Sequence, residues 1–209
     1  MCHMNKHSIK NQLIQNVMKT FRNIALIAIS ALLINCSDSN STNNQEVTCD
    51  TSNSEFRQIF NQLIQTNVDE IYMDTEIHGY QFKVLTAKNI CSIGYQSIPA
   101  MASTPYRIEI HNNTTNSVIY SGDHIFSSSA TSYVSVGSIP LVAGNTYTIK
   151  RIQTNWGNNI ANTIGRTATS SSGDFSFPLS MGDLQITQAE FDDNQLNSVL
   201  PYIDIVFEQ

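Results

Sequence analysis

Basic residues are scarce in this chain, which carries eleven Lys and Arg against seventeen Asp and Glu in 209 residues. An acidic chain repels the phosphate backbone of nucleic acids, and no cluster of Lys or Arg counters that repulsion. Nucleic-acid binding is therefore disfavoured. Histidines are also few, and His78, His111 and His124 lie too far apart in sequence to form the closely spaced pair of a zinc site.

Catalytic motifs are missing as well. The serine runs at 127–129 and 170–172 lack the Gly-x-Ser-x-Gly context of a hydrolase nucleophile. No pair of carboxylates shows the cleft and fixed gap that glycoside hydrolysis needs. We therefore expect a protein that is not an enzyme and that needs no cofactor.

Long hydrophobic runs are absent too, and the longest apolar stretch, Ile24–Ile34, is broken only by Ser30. Its 11 residues would span roughly 17 Å as a helix, against a hydrocarbon core of about 30 Å, so it is too short to cross a membrane. Basic residues precede it at Lys19 and Arg22, and Leu33–Cys36 follows where a lipobox belongs. This order resembles a bacterial lipoprotein signal peptide.

The resemblance implies a signal peptide over residues 1–35 and acyl chains on Cys36 that anchor the protein to the outer membrane. Asn35 departs from the usual small residue before the cysteine, so a plain secretory signal cleaved nearby or an uncleaved anchor stays open. Met18 is a better start than Met1, because residues 1–17 are long and rich in Asn and Gln for a leader.

Residues 36–50 read as the lipidated cysteine and a flexible tether rich in Ser, Asn and Thr. Asp38, just after Cys36, weakly resembles a signal for export to the cell surface, although an ordinary tether explains it too. Removing residues 1–35 leaves seven basic residues against seventeen acidic ones, a net charge of −10. This acidity aids solubility or contributes to cation sites.

The first structured segment reads as an amphipathic helix over Ser52–Thr66. Ser52 and Glu55 have the spacing of a capping box. Apolar residues recur at helical spacing and form one stripe: Phe56, Ile59, Phe60, Leu63 and Ile64. We expect this stripe to bury against a sheet, or else to dock a partner protein.

From Ile71 onward the apolar period changes to two, and turn signals punctuate the chain at short intervals. The alternation is clearest in three segments, Tyr80–Leu85, Tyr106–His111 and Tyr147–Lys150. Further strands are expected at 90–95, 118–120, 125–126, 133–136, 175–179, 184–186 and 202–207. Residues 51–209 are therefore predicted to be all-β, an antiparallel two-sheet β-sandwich of immunoglobulin-like or jelly-roll-like kind with one N-terminal helix.

The segment Leu141–Ile149, LVAGNTYTI, contains the pattern Leu-x-Ala-Gly-x-Thr-Tyr-Thr and follows Tyr133–Val136. It resembles a hairpin of bacterial extracellular sandwiches, and residues 80–152 are similar to uncharacterised secreted domains found in cell-surface and carbohydrate-active proteins. The resemblance implies the fold and a cell-surface setting. It implies little about function, because sandwich folds host many activities.

Cys49 and Cys91 remain beside the lipid cysteine in the exported chain. An oxidising compartment permits a disulfide between them, with free buried thiols as the alternative.

Two acidic groups could bind Ca²⁺, although solvated acids are the default reading. The first is Asp69, Glu70, Asp74 and Glu76, of which Asp74 and Glu76 would share a strand face; the second is Asp183, Glu190, Asp192, Asp193 and Asn194.

Trp156 is the single tryptophan and stands in a polar loop between Asn155 and Asn158. A ring in such a loop could stack on a sugar while the amides take its hydroxyls, or it could fold back as a lid on the core.

The sequence thus favours a non-catalytic envelope lipoprotein that binds a glycan or another envelope component. The alternative is a structural or accessory subunit of an envelope complex, which makes contact through the helix or a sheet edge.

Overall fold

A computed structural model describes residues 48–209. The predicted signal peptide, Cys36 and most of the tether lie outside these described residues. Within them the fold is mostly β, as predicted, with one α-helix, α1 (Glu55–Leu63), before the sheets. The strands are β1 (Val68–Tyr72), β2 (Ile77–Val84), β3 (Lys88–Tyr95), β4 (Tyr106–Asn112), β5 (Ser117–His124), β6 (Ser132–Leu141), β7 (Thr146–Gln153), β8 (Gly165–Thr169), β9 (Leu179–Met181), β10 (Leu184–Phe191), β11 (Asn194–Gln195), β12 (Val199–Pro201) and β13 (Asp204–Phe207).

These strands form three antiparallel sheets. The largest has the order β11-β10-β2-β7-β4-β5, with β9 paired to β10. The second has the order β13-β3-β6 and the third the order β1-β8-β12. The predicted antiparallel β-sandwich is confirmed, although its strands divide into three hydrogen-bonded sheets where two were predicted.

The apolar residues that alternate with period two are buried in the core, as predicted. Tyr80, Phe82 and Val84 of β2 are fully buried, and so are the alternating apolar residues of β4. The rings of Phe82 and Tyr147 face each other across the β2–β7 pair and stack with centroids 5.5 Å apart. Cross-strand aromatic pairs of this kind stabilise a sheet.

Helix α1 is shorter than predicted and begins at a different cap. Ser54, not Ser52, caps it, because the Ser54 hydroxyl accepts a hydrogen bond from the amide of Arg57. The capping box fails because Glu55 reaches across the fold, where it accepts from the amide of Leu184 and pairs with Lys88 at 3.0 Å. The predicted apolar stripe is buried in the protein's own core at Phe56, Ile59 and Phe60.

Two of the predicted strands are wrong. Residues 125–126 lie just beyond the end of β5 at His124, and the apolar residues of the segment 175–179 join the core mainly from a loop, since β9 starts only at Leu179. No strand is predicted at β8, the central strand between β1 and β12. Its five residues, GRTAT, include a single apolar side chain, the small methyl group of Ala168, so the strand shows no apolar alternation.

The chain enters and leaves this fold at one end of β3. Cys49 forms a disulfide with Cys91, with their Cα atoms 6.0 Å apart. The amide of Gln209 donates to the carbonyl of Thr48, and the amide of Glu208 donates to the carbonyl of Asn89. Thr48 therefore lies beside the start of β3, whereas Tyr95 ends that strand at the opposite side of the domain.

Candidate functional site

Trp156 lies in a single 3-10 turn, Trp156–Asn158, on the connection between β7 and β8. Its side chain is half-buried, and its indole Nε1 is buried with no hydrogen-bond partner among the described residues. The neighbouring amides hold the loop together. The side chain of Asn158 donates to the side-chain oxygen of Asn155 at 2.7 Å, and the side chain of Asn159 donates to the backbone carbonyl of Asn155. These amides are thus engaged within the loop, and the sugar platform stays a prediction.

A cleft of about 330 Å³ opens beside β1. Three segments line it, namely β1, the chain just after β3, and the start of β8; their residues are Asp69, Glu70, Ile71, Gln96, Ser97, Ile98 and Arg166. Asp69 and Glu70 belong to the predicted acidic group. The other lining residues carry no sequence signal, because they come together only when β8 inserts between β1 and β12.

Arg166 is the fixed cation of this cleft. Its guanidinium donates to both carboxylate oxygens of Asp69, at 2.9 and 2.7 Å. It also lies over the rings of Phe60 and Tyr202, 5.0 and 4.7 Å from their centroids. The hydrogen bonds that Arg166 donates to Asp69 raise the pKa of Arg166 despite its partial burial, so the group stays charged and rigidly placed.

The remaining walls combine polar groups with apolar surface. Glu70 contributes a half-buried carboxylate and Gln96 an amide, while Ile71 is 55% exposed. A concave site with a few polar groups and an apolar contact suits a ligand that has hydroxyl groups on an apolar ring. Because β1 is hydrogen-bonded only to β8, its outer edge also borders the cleft without a strand partner in the described part of the chain.

The predicted calcium groups do not assemble. Asp74 accepts from the amide of Ala161 and from Thr163. It shares no strand face with Glu76, because β1 ends at Tyr72 and β2 begins at Ile77. Between residues 48 and 209 no three His, Cys, Asp or Glu side chains are placed to hold a metal ion.

The acids of the second group are each engaged locally. Asp183 pairs with Lys88, Asp193 with Lys150, and Glu190 accepts from Gln81. Asp192 accepts from the amide of Ile77. Neither group therefore provides the converging oxygens that Ca²⁺ requires.

The three histidines between residues 48 and 209 lie apart in the fold. His111 contacts Glu109 at 2.8 Å, and His124 contacts the hydroxyl of Tyr120 at 2.6 Å. His78 is fully buried, with Nε2 against the carbonyl of Met73 at 2.6 Å. Burial first, and the charge of Arg151 second, hold the pKa of His78 well below its usual value of 6.5.

This lowered pKa predicts loss of stability in acid. The unfolded chain takes up a proton at His78 below pH 6.5, whereas the folded chain does not until a much lower pH. The free energy of unfolding should therefore fall by about 1.4 kcal/mol for each pH unit below 6.5 from this group alone. Urea unfolding of wild type and His78→Gln in a chloride-free gluconate buffer of constant ionic strength measures this loss, and equal slopes in the two proteins would contradict it.

Comparison with known proteins identifies no protein similar to this chain. No family model matches the chain, and no curated protein is similar to it. In the part of the chain that the structure describes, no helix has the length and apolar character needed to cross a bilayer. The site is therefore characterised by its own residues.

Proposed function

We propose that this protein is a non-catalytic binding module of the bacterial envelope, anchored by lipid on Cys36, that holds a glycan in the cleft beside β1. The observation that carries the proposal is the mixed wall of this cleft. Glu70 and Gln96, which carry a carboxylate and an amide, line the cleft together with Ile71, which is 55% exposed. Such a wall offers hydrogen-bond acceptors and donors to hydroxyls and an apolar contact to the ring.

The position of the cleft relative to the chain entry supports this role. Thr48 lies beside the start of β3, and the lining residues Gln96–Ile98 directly follow the end of that strand. At about 3.3 Å per residue, the strand separates the two points by roughly 23 Å. Thr48, the first described residue, and the cleft thus lie at opposite ends of β3.

A binding titration with the purified full-length protein tests the proposal. We expect a panel of envelope and host oligosaccharides to include a saturable ligand by calorimetry. Glu70→Gln should weaken its binding roughly tenfold to a hundredfold, the cost of losing a hydrogen bond to a charged group. Glu109→Gln, the same change away from the cleft, should leave the dissociation constant within about twofold, in line with the small effects usual at surface positions.

Trp156→Ala separates the cleft from the loop that the sequence favours. Binding that survives Trp156→Ala but fails in Glu70→Gln supports the cleft. The reverse pattern would move the site to the Asn155–Asn158 loop and refute the cleft. No binding by a folded protein across the panel would refute the glycan proposal itself.

The second candidate function is an accessory subunit of an envelope complex. Strand β1 favours it, because Val68, Ile71 and Tyr72 are each about half exposed on a strand with a free edge. An extended partner segment could add to such an edge through main-chain hydrogen bonds. Co-purification of an envelope protein with wild type, lost on Ile71→Asp and kept on Glu70→Gln, would favour this function over glycan binding.

A further inference from the structure

A buried polar cluster, here named the Arg151 cluster, lies where the ends of three strands meet. It consists of His78 on β2, Tyr95 on β3 and Arg151 on β7, which are 0%, 1% and 0% exposed. Each side chain contains one buried polar atom with no hydrogen-bond partner among the described residues: Nδ1 of His78, the hydroxyl of Tyr95 and Nε of Arg151. Buried polar atoms are nearly always paired, so three in one place call for an explanation.

Two of these groups, Tyr95 and His78, lie beside Gly165, the first residue of β8. The point where a Cβ on Gly165 would stand is 2.6 Å from the Tyr95 hydroxyl and 3.2 Å from Nδ1 of His78. The Arg151 guanidinium lies 5.8 Å from the centroid of the Tyr95 ring, and its charge lowers the pKa of His78. The absence of a side chain at residue 165 thus keeps these polar atoms facing one another.

The charge of Arg151 lacks a counter-charge. Its guanidinium donates to the carbonyls of Thr163 and Glu76, at 2.9 and 3.4 Å, and these acceptors are neutral. No carboxylate of residues 48–209 lies within 4 Å of it, as one does for Arg57, Arg107 and Arg166. A buried charge normally has a partner of opposite sign.

The donor and acceptor atoms of the Arg151 cluster indicate what kind of ligand it would bind. Nε2 of His78 faces the Met73 carbonyl and so carries a proton, which leaves Nδ1 as an acceptor while the ring is neutral. The groups that face His78 from the packed elements are Arg151, the Tyr95 hydroxyl and the uncharged ring of Phe191. A proton on Nδ1 would turn this atom into a donor, as the Tyr95 hydroxyl and Nε of Arg151 already are.

We infer that the Arg151 cluster binds one small anion of the chloride class, taken up together with one proton on Nδ1 of His78. The proton comes from solvent, so the step adds one anion and one proton to the protein and changes no covalent bond in the chain. The ion must be small, because the three atoms have no exposure to solvent. This site is separate from the cleft and does not depend on the proposed function.

Salt-dependent unfolding of the full-length protein tests the inference. At pH 5.5 and constant ionic strength, chloride should raise the melting temperature above that in gluconate, which is too large to enter. Because His78 is neutral in the ion-free folded protein and one proton is taken up with the ion, the apparent dissociation constant for chloride should fall up to tenfold for each unit by which the pH is lowered. Identical melting curves in chloride and gluconate would overturn the inference.

Two Tyr→Phe variants provide a matched pair. Tyr95→Phe removes an unpartnered hydroxyl of the cluster and should weaken chloride binding at least fivefold. Tyr106→Phe removes a hydroxyl that is already bonded to Ser97 at 3.2 Å, although its ring also faces Arg151, and should leave chloride binding unchanged. Equal chloride responses in the two variants would contradict the site.

Crystals soaked in bromide identify the occupant directly. An anomalous peak beside Arg151 and Tyr95 supports the inference. A water at that place, with no anomalous signal at pH 5.5, would overturn it.

Discussion

Replacing Phe56 by alanine is expected to lower the free energy of unfolding by about 3–5 kcal/mol. Phe56 is fully buried at the contact between α1 and the sheets. Its ring stacks on Tyr80 at 5.2 Å and meets the edge of Tyr202 at 5.5 Å between centroids. The alanine variant loses these contacts and leaves a cavity that the surrounding strands fill only in part.

Urea unfolding followed by circular dichroism measures this loss. Gln62→Ala, an exposed substitution on the same helix, should change the free energy of unfolding by no more than about 0.5 kcal/mol. A loss below about 1 kcal/mol in Phe56→Ala would show that α1 does not pack on the core as described. The comparison also tests whether the apolar stripe serves the domain itself and not a partner.

The second large effect is expected at Asp204, the first residue of β13. Its carboxylate is completely buried and accepts from the hydroxyls of Ser54 and Tyr133, the latter at 2.6 Å. Arg57 lies 3.6 Å away. Burial raises the pKa of Asp204, while the donors from Ser54 and Tyr133 and the charge of Arg57 act in the opposite direction.

Asp204→Ala should cost about 3–5 kcal/mol, because it leaves Arg57 and two hydroxyls without their shared acceptor. Asp204→Asn keeps one acceptor oxygen and should cost less. Asp123→Ala provides the control, since Asp123 pairs with Arg107 at 2.9 Å on the surface, and such pairs contribute at most about 1 kcal/mol. Equal losses in Asp204→Ala and Asp123→Ala would contradict the network around Asp204.

The two sites differ in how far the sequence pointed to them. Asp69 and Glu70 stood out as neighbouring acids, yet the sequence suggested a cation, and the structure pairs Asp69 with Arg166. Gln96 and Ser97 were not singled out, because one polar residue after a strand resembles any other. The Arg151 cluster was not singled out either: period two places Arg151 on the same face of β7 as Tyr147 and Ile149, but the sequence does not show which polar groups it meets there.

The fold class and the faces of the elements that are buried in the core follow from local sequence patterns. Period-two alternation at Tyr80–Leu85 and Tyr106–His111 and helical spacing at Phe56, Ile59 and Phe60 are local patterns. The solvent alone dictates which side of such a segment is buried, and these burial predictions are confirmed.

The contacts between polar side chains depend on the tertiary structure. Arg166 meets Asp69 across 97 residues, and Ser54 meets Asp204 across 150. The inserted strand β8, whose sequence shows no alternation, builds one wall of the cleft and places Gly165 against Tyr95. Such pairings depend on strand order and register, which arise from the packing of the whole chain and leave no periodic trace in any one segment.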